Sequence, residues 1–324
     1  MKLIESSVQI IEEKDPYKMI ELAGRTCYKS EDKITEDSSK EFVDRMIKLG
    51  HGAMLEHGTI YLNVPEQTYT ETLEDEFGKF NNPNNGLVDR YRKNKYSKVN
   101  SVAADEELRK KYPKVRPFKL THHYITTNLR VIIENGWEKD LEWQCEPTEH
   151  HEKRITAKFI CDRGVSHEFV RHRVFSFAQE STRYCDYSKN KFGNDITYII
   201  PSWLDLPEGK YSDWDNDWCD VSELKLLYPE VDNLSDPANC FLQSIKNAEY
   251  YYFMLINRGW KPQQARQVLP NATKTELVMT GFESDWEHFF ELRCSGAAHP
   301  DARKLADELK SLMNVKNIEL NSVK

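Results

Sequence analysis

Apolar positions along this chain recur at two spacings, and the switches between them mark out its elements. Residues 7–12, S-V-Q-I-I-E, suit a short opening strand. Asp15 and Pro16 make an N-cap and first-turn pair, and Met19, Ile20 and Ala23 then form a helical face expected to end at Gly24. Ser38 and Glu41 read as a capping box for a second helix, with Phe42, Val43, Met46 and Ile47 inward and Gly50 at C′. Residues 59–64, T-I-Y-L-N-V, alternate as a strand expected to stop before Pro65. Thr127 to Asn135 reads as a helix closed by Gly136. Residues 154–161, R-I-T-A-K-F-I-C, alternate again, with Ile155, Ala157, Phe159 and Cys161 on one face. A short helix from about Val165 is expected to carry the cationic run at 171–173, and a loop to carry Gln179 to Tyr187.

Toward the C-terminus the period becomes helical throughout. Pro237 opens what reads as the longest helix, with Phe241, Ile245, Ala248, Tyr252 and Leu255 in register and Gly259 as its stop. Pro262 starts a short helix holding Arg266. Ser284 and Glu287 suggest another capping box, on a helix where Trp286, Phe289, Phe290 and Arg293 share one face. Pro300 opens the last helix, with Ala302, Leu305, Ala306, Leu309, Leu312 and Met313 as its stripe. Two stretches break the pattern. From Glu66 to Pro117 charge, Asn, Gly and Lys dominate, with some helix expected, for instance at 104–112. From Trp203 to about Asp236 the chain is rich in Trp and Asp. The organisation expected is one domain over 1–324 with insertions at about 66–152 and 203–236.

Composition narrows the function classes. With 324 residues, 39% hydrophobic, the chain can bury a substantial core. A net charge of −8 argues against nucleic acid as the main partner. No apolar run approaches the ~20 residues needed to span a bilayer, and the acidic opening is wrong for a signal peptide. Seven scattered cysteines, odd in number and without a C-x-x-C pair, suggest reduced thiols and a cytoplasmic protein. Neither a G-x-G-x-x-G nor a P-loop pattern is present, so a Rossmann-type flavin enzyme is unsupported.

In an acidic chain a dense arginine cluster is a local site. Within Glu168 to Tyr187 lie Arg171, His172 and Arg173, then Gln179, Glu180, Ser181, Thr182 and Arg183, interleaved with Phe175, Phe177 and Tyr184. Planar guanidinium forks suit phosphate and carboxylate oxygens. The nucleophile reading of Ser181 lacks a Ser–His–Asp order or a G-x-S-x-G elbow, so a binding serine is expected. His51, Glu56 and His57 have no established zinc spacing, and no metal is expected.

R-H-R, seven residues, then S resembles the signature of the flavin-dependent thymidylate synthases, the ThyX family. Three further blocks resemble that family in the right order: H-G-A-M-L-E-H at 51–57, R-G-W-K-P-Q-Q-A-R-Q-V-L-P at 258–270 and F-F-E-L-R at 289–293. The resemblance implies an α+β fold, a mixed sheet flanked by helices, assembled as a homotetramer with active sites at subunit interfaces. It implies reductive methylation of dUMP to dTMP, with methylenetetrahydrofolate giving the carbon and NADPH reducing FAD. By position it assigns His51, Glu56, Arg171, His172, Arg173, Gln179 and His288 to FAD, with His299 a further candidate. It assigns Glu168, Arg171, Gln179, Glu180, Ser181, Thr182, Arg183, Arg266 and Arg293 to dUMP, and gives Arg293 the activating role at the uracil ring. From periodicity alone Arg266 reads as a snorkelling surface arginine. Where many members carry Gln three residues before R-H-R this chain has Glu168, and where some carry Glu two residues before the signature serine it has Gln179. Two rivals stay open: a non-catalytic nucleotide- or phosphate-binding protein, and a zinc hydrolase using His51, His57, His150 and His151.

Overall fold

A computed structural model describes residues 1–69, 85–103, 118–189, 192–211 and 237–322. The helix expected at 104–112 and most of the stretch from Trp203 to Asp236 lie outside these residues. In chain order the strands are β1 (Lys2–Ile4), β2 (Ser7–Ile11), β3 (Thr59–Tyr69), β4 (Lys98–Ala103), β5 (Phe118–Asn128), β6 (Arg154–Asp162), β7 (Ser176–Gln179), β8 (Thr197–Ile199), β9 (Gly209–Lys210) and β10 (Lys274–Phe282). The helices are α1 (Pro16–Tyr28), α2 (Ser38–Lys48), α3 (Gly52–Leu55), α4 (Asn85–Lys93), α5 (Leu129–Asn135), α6 (Arg163–Phe169), α7 (Pro237–Asn257), α8 (Pro262–Ala265), α9 (Glu283–Arg293) and α10 (Pro300–Ser322).

These strands form three sheets, ordered β2-β6-β10-β7, β3-β5-β4 and β8-β1-β9. The first is antiparallel and central. β10 pairs with β6 from Lys274↔Asp162 to Phe282↔Arg154, and with β7 from Leu277↔Gln179 to Thr280↔Ser176. Leu277 and Met279 face a core shared with Phe169, Trp286, Phe289 and Leu305, which α6, α9 and α10 complete. Val278 faces the other way, onto Ala23 of α1 and Ala178. A strand covered on both faces has no alternation to betray it, and β10 has no counterpart in the sequence-based expectations.

Several boundaries differ for identifiable reasons. Gly24 does not end α1 but sits inside it, where a Cβ would come within 2.5 Å of the Phe42 ring; glycine lets α1 and α2 approach. The helix runs on to Tyr28 and closes with Lys29 in the left-handed region, φ 47°. Ser38 makes no capping box, because its hydroxyl bonds to Glu21 Oε2 at 2.8 Å. Nor do Ser284 and Glu287: Phe282 N–H donates to Asp285 Oδ2 at 3.1 Å instead. β3 continues through Pro65 to Tyr69, which its edge position permits. The stretch from Glu66 to Pro117 holds the end of β3, α4 and β4 among the described residues, and β5 follows it. α10 spans 23 residues against 21 for α7, so the last helix is the longer one. No helix of the described residues is long and apolar enough to cross a membrane.

A charged hub ties α1 to the central sheet. The Glu276 carboxylate on β10 receives Lys29 Nζ at 2.6 Å, Lys158 Nζ at 2.6 Å and Lys274 Nζ at 2.5 Å. Lys274 also reaches Glu180 at 2.8 Å, and Glu31 lies 3.2 Å from Lys29, so three ammonium groups meet three carboxylates. Burial alone would raise the Glu276 pKa, but the lysines outweigh it and hold the carboxyl well below its ordinary 4.5. A group with a depressed folded pKa contributes its full stability above the unfolded value and loses it as pH falls. Glu276→Gln is therefore expected to cost about 3–5 kcal/mol at neutral pH, the scale of breaking a buried pair. In urea titrations the gap between variant and parent should narrow progressively below pH 4.5; a gap unchanged from pH 7 to pH 3 would contradict it.

Candidate functional site

The signature occupies a turn and a strand. α6 stops at Phe169, so R-H-R does not ride a helix; His172 N–H bonds back to the Phe169 carbonyl and Phe175 N–H to the His172 carbonyl. The turn is seated by aromatic packing. Phe175 meets Trp286 at 4.5 Å between ring centres, and His172 meets Phe289 at 5.0 Å. Gly281 admits the Phe175 ring, which a Cβ there would approach to 2.5 Å. Burying rings of this size contributes about 1.5–3 kcal/mol each. Those contacts fix α9, and with it the one cation on its aromatic face.

That cation is Arg293. Its Nε donates to His172 Nε2 at 2.9 Å, one Nη to Glu168 Oε2 at 2.8 Å and the other to the Glu168 carbonyl at 2.6 Å. Because Nε2 of His172 accepts, its proton sits on Nδ1 and the ring is neutral. Burial, then the Arg293 and His288 charges, lower the His172 pKa to about 4. Arg293 likewise holds the Glu168 carboxyl below its usual range. Arg171 and Arg173 are exposed, and among the described residues neither has a hydrogen bond or ion pair. Two guanidinium forks thus stand unpaired beside a fixed arginine.

The second half of the signature lies beyond the four residues of β7, a span of roughly 13 Å. There Arg266 donates to Thr182 Oγ1 at 3.3 Å, and Arg183 Nε to Gln263 Oε1 at 3.4 Å. Arg183 N–H meets Ser181 Oγ at 3.3 Å, the turn that leaves Arg183 and Tyr184 exposed. The loop is anchored by Ser181 N–H on the Cys27 carbonyl and Glu180 N–H on the Glu276 carbonyl. The Glu180 side chain is buried, bonded to Lys274 and to the Tyr187 hydroxyl at 3.3 Å, so it faces the hub. Gln179 is the last residue of a strand, not part of a loop, and its amide donates to Ser166 Oγ at 2.9 Å and Thr275 Oγ1 at 3.2 Å.

The remaining expected residues divide. His51 is exposed at the start of α3, and Glu56 is paired with Arg130. His288 is exposed on α9, 3.2 Å from Glu291, and His299 stacks edgewise on Trp203. His57 is fully buried and bonds to Thr280 Oγ1 at 2.8 Å, while His151 bonds to the Leu62 carbonyl at 3.1 Å. Among the described residues no group of three His, Cys, Asp or Glu could hold a metal, and the four histidines of the zinc reading do not converge. Sequence reasoning missed Lys29, Lys158, Lys274 and Glu276; isolated Lys and Glu in an acidic chain carry no signal of convergence.

The chain is 32% identical over 156 residues to the flavin-dependent thymidylate synthase of Mycobacterium avium (strain 104), covering 47% of this chain and 54% of that one. It is 32% identical over 148 residues to the flavin-dependent thymidylate synthase of Mycolicibacterium gilvum (strain PYR-GCK), covering 45% and 51%. The chain thus spans about half the length of the curated relatives it matches. A crystal structure of the UMP/dUMP methylase PolB from Streptomyces cacaoi bound with 5-Br dUMP aligns over 97% of this chain and 92% of that one, at 14% identity and a TM-score of 0.39. The thymidylate synthase complementing protein family matches at residues 9–69 and 120–316, a span that holds the whole signature together with Arg266 and Arg293, and the chain belongs to that family.

Proposed function

We propose that this chain is a flavin-dependent thymidylate synthase, converting dUMP to dTMP with methylenetetrahydrofolate as carbon donor and NADPH as reductant. The observation that carries the reading is the bonding of Arg293 to Glu168 and His172, which joins the late L-R element to the R-H-R signature across 121 residues. Bound FAD would supply the hydride. The residues suited to hold it are Arg171, His172 and Arg173, with His51 and His288 exposed on neighbouring elements. The loop of Ser181, Thr182 and Arg183, with Arg266 beside it, offers hydroxyls and two guanidiniums to a nucleotide phosphate.

The two halves of the signature stand at opposite ends of β7, so one chain does not easily close both around a single nucleotide. Two chains facing each other would, and this supports composite sites in a homotetramer. Arg293 in its present bonds is oriented by packing, and a positive charge there favours the N3-deprotonated uracil, which places electron density on the ring carbon to be methylated. Glu168 both orients Arg293 and lowers its net charge, so substrate binding has to displace or share that carboxylate. All of this is carried on one domain elaborated at about 66–152 and 203–236.

The direct test is the purified protein. It should show visible flavin absorbance, and NADPH oxidation should respond to added dUMP; a colourless protein that binds dUMP without oxidising NADPH would favour the non-catalytic nucleotide-binding reading. Arg293→Lys keeps the charge but loses the planar fork that meets His172 and Glu168 together. The variant is expected to fold and keep its flavin, while tritium release from 5-tritiated dUMP falls about 100-fold, the scale for one preorganised electrostatic contact. Turnover equal to the parent's would move the activating role away from Arg293.

A further inference from the structure

A cleft of about 840 Å3 lies apart from the signature, where the central sheet meets the β3-β5-β4 sheet. It is bounded by the end of β2 and the start of α1, by the start of β3, by residues 144–147 and by the start of β6. That volume is in the range of small-molecule sites. At its inner wall stands Arg154, the first residue of β6. Its Nη1 donates to the Glu56 carbonyl at 2.8 Å and Thr59 Oγ1 at 3.3 Å, and its Nη2 to Ser176 Oγ at 3.2 Å.

All three acceptors are neutral. No carboxylate of the described residues lies within ion-pair distance of this guanidinium, and its Nε–H has no partner among them. Desolvation lowers its pKa to about 10. Beyond the Phe282 ring, 5.6 Å from its guanidinium carbon, and the more distant charges of Glu56 and Asp285, this desolvated cation has no ion pair, so its Nε edge is suited to an anion brought by a ligand. The start of α1 does not compete for that anion, because Asp15 Oδ1 already takes the N–H groups of Tyr17 at 2.7 Å and Lys18 at 3.2 Å.

The rim is net negative. Glu12, Glu13, Asp15 and Glu146 are exposed along it, with Lys14 among them. Four carboxylates against one ammonium disfavour a multiply charged phosphate ester and attract a cation. Between rim and floor, Met19, Tyr61 and Ile155 provide apolar surface. We propose that this cleft binds a short peptide with both ends free, its carboxylate on Arg154, its ammonium toward the acidic rim and its side chains against Met19, Tyr61 and Ile155. The proposal is independent of the thymidylate synthase reading.

The experiment is calorimetric titration of the whole chain, as purified, with the dipeptide alanyl-phenylalanine, its C-terminal amide, its N-acetyl form and inorganic phosphate. The free dipeptide should bind at least tenfold more tightly than either blocked form, and phosphate should not bind. Glu13→Gln, at an exposed position that leaves the fold intact, should weaken the free dipeptide severalfold and leave the N-acetyl form unchanged. Arg154→Lys should abolish the preference for a free carboxylate; if that variant does not fold, the comparison of free and blocked peptides decides alone. Equal affinity for free and blocked forms, no binding of any form, or preferential binding of phosphate would each overturn the proposal.

Discussion

One guanidinium joins the late helix to the signature, and the packing around it fixes where they meet. Arg293 projects from the aromatic face of α9 with its side chain 14% exposed, and a largely buried cation needs acceptors. It finds a carboxylate and a carbonyl on Glu168 and a ring nitrogen on His172. Of these the ion pair is the weaker anchor, since Glu168 is one-third exposed and a solvent-screened pair contributes at most about 1 kcal/mol. The stronger constraint is apolar. Trp286, Phe289, Phe169 and Phe175 interlock in one core, and their burial outweighs any single polar contact at the site. Packing sets the position, and the hydrogen bonds set the direction in which the charge points.

The other half of the signature is held by a different kind of force. Glu276 gathers three lysines, and Lys274 carries the connection to Glu180, one residue before Ser181. Backbone bonds from Glu180 and Ser181 to β10 and α1 close the same loop from below. The cluster is neutral in sum, so it stiffens the loop without adding a net charge to the side that carries Ser181 to Arg183. Arg183 and Arg266 then remain the groups that give that side its sign. An apolar anchor at one end of β7 and a charged anchor at the other leave the strand between them with little freedom.

Residues whose chemistry is contiguous in sequence were legible before the fold was known. R-H-R and the S-T-R loop stand out because three guanidiniums within thirteen residues have no bland role in an acidic chain. The helical faces of α7, α9 and α10 were legible because each buries one side only. β10 was not, because it is covered on both faces and lacks the period that marks a half-buried strand. The hub was not, because its lysines come from residues 29, 158 and 274 and converge only through the pairing of β10 with β6 and the left-handed close of α1. The inward turn of Glu180 and the engagement of Gln179 by Ser166 depend on the pairing of β10 with β7. Pro65 misled for a related reason, since its tolerance depends on β3 being an edge strand.

The central claim is that His172 is a neutral acceptor fixed by Arg293, and the ring's own titration reports on it most directly. Nitrogen-15 NMR of the side chain of His172, followed from pH 8 downward, gives both the tautomer and the pKa. The arrangement predicts a proton on Nδ1 and titration near pH 4, well below the ordinary 6.5. Titration near 6.5 with the proton on Nε2 would mean that Arg293 does not donate to this ring, and the coupling of the late helix to the signature would be lost with it.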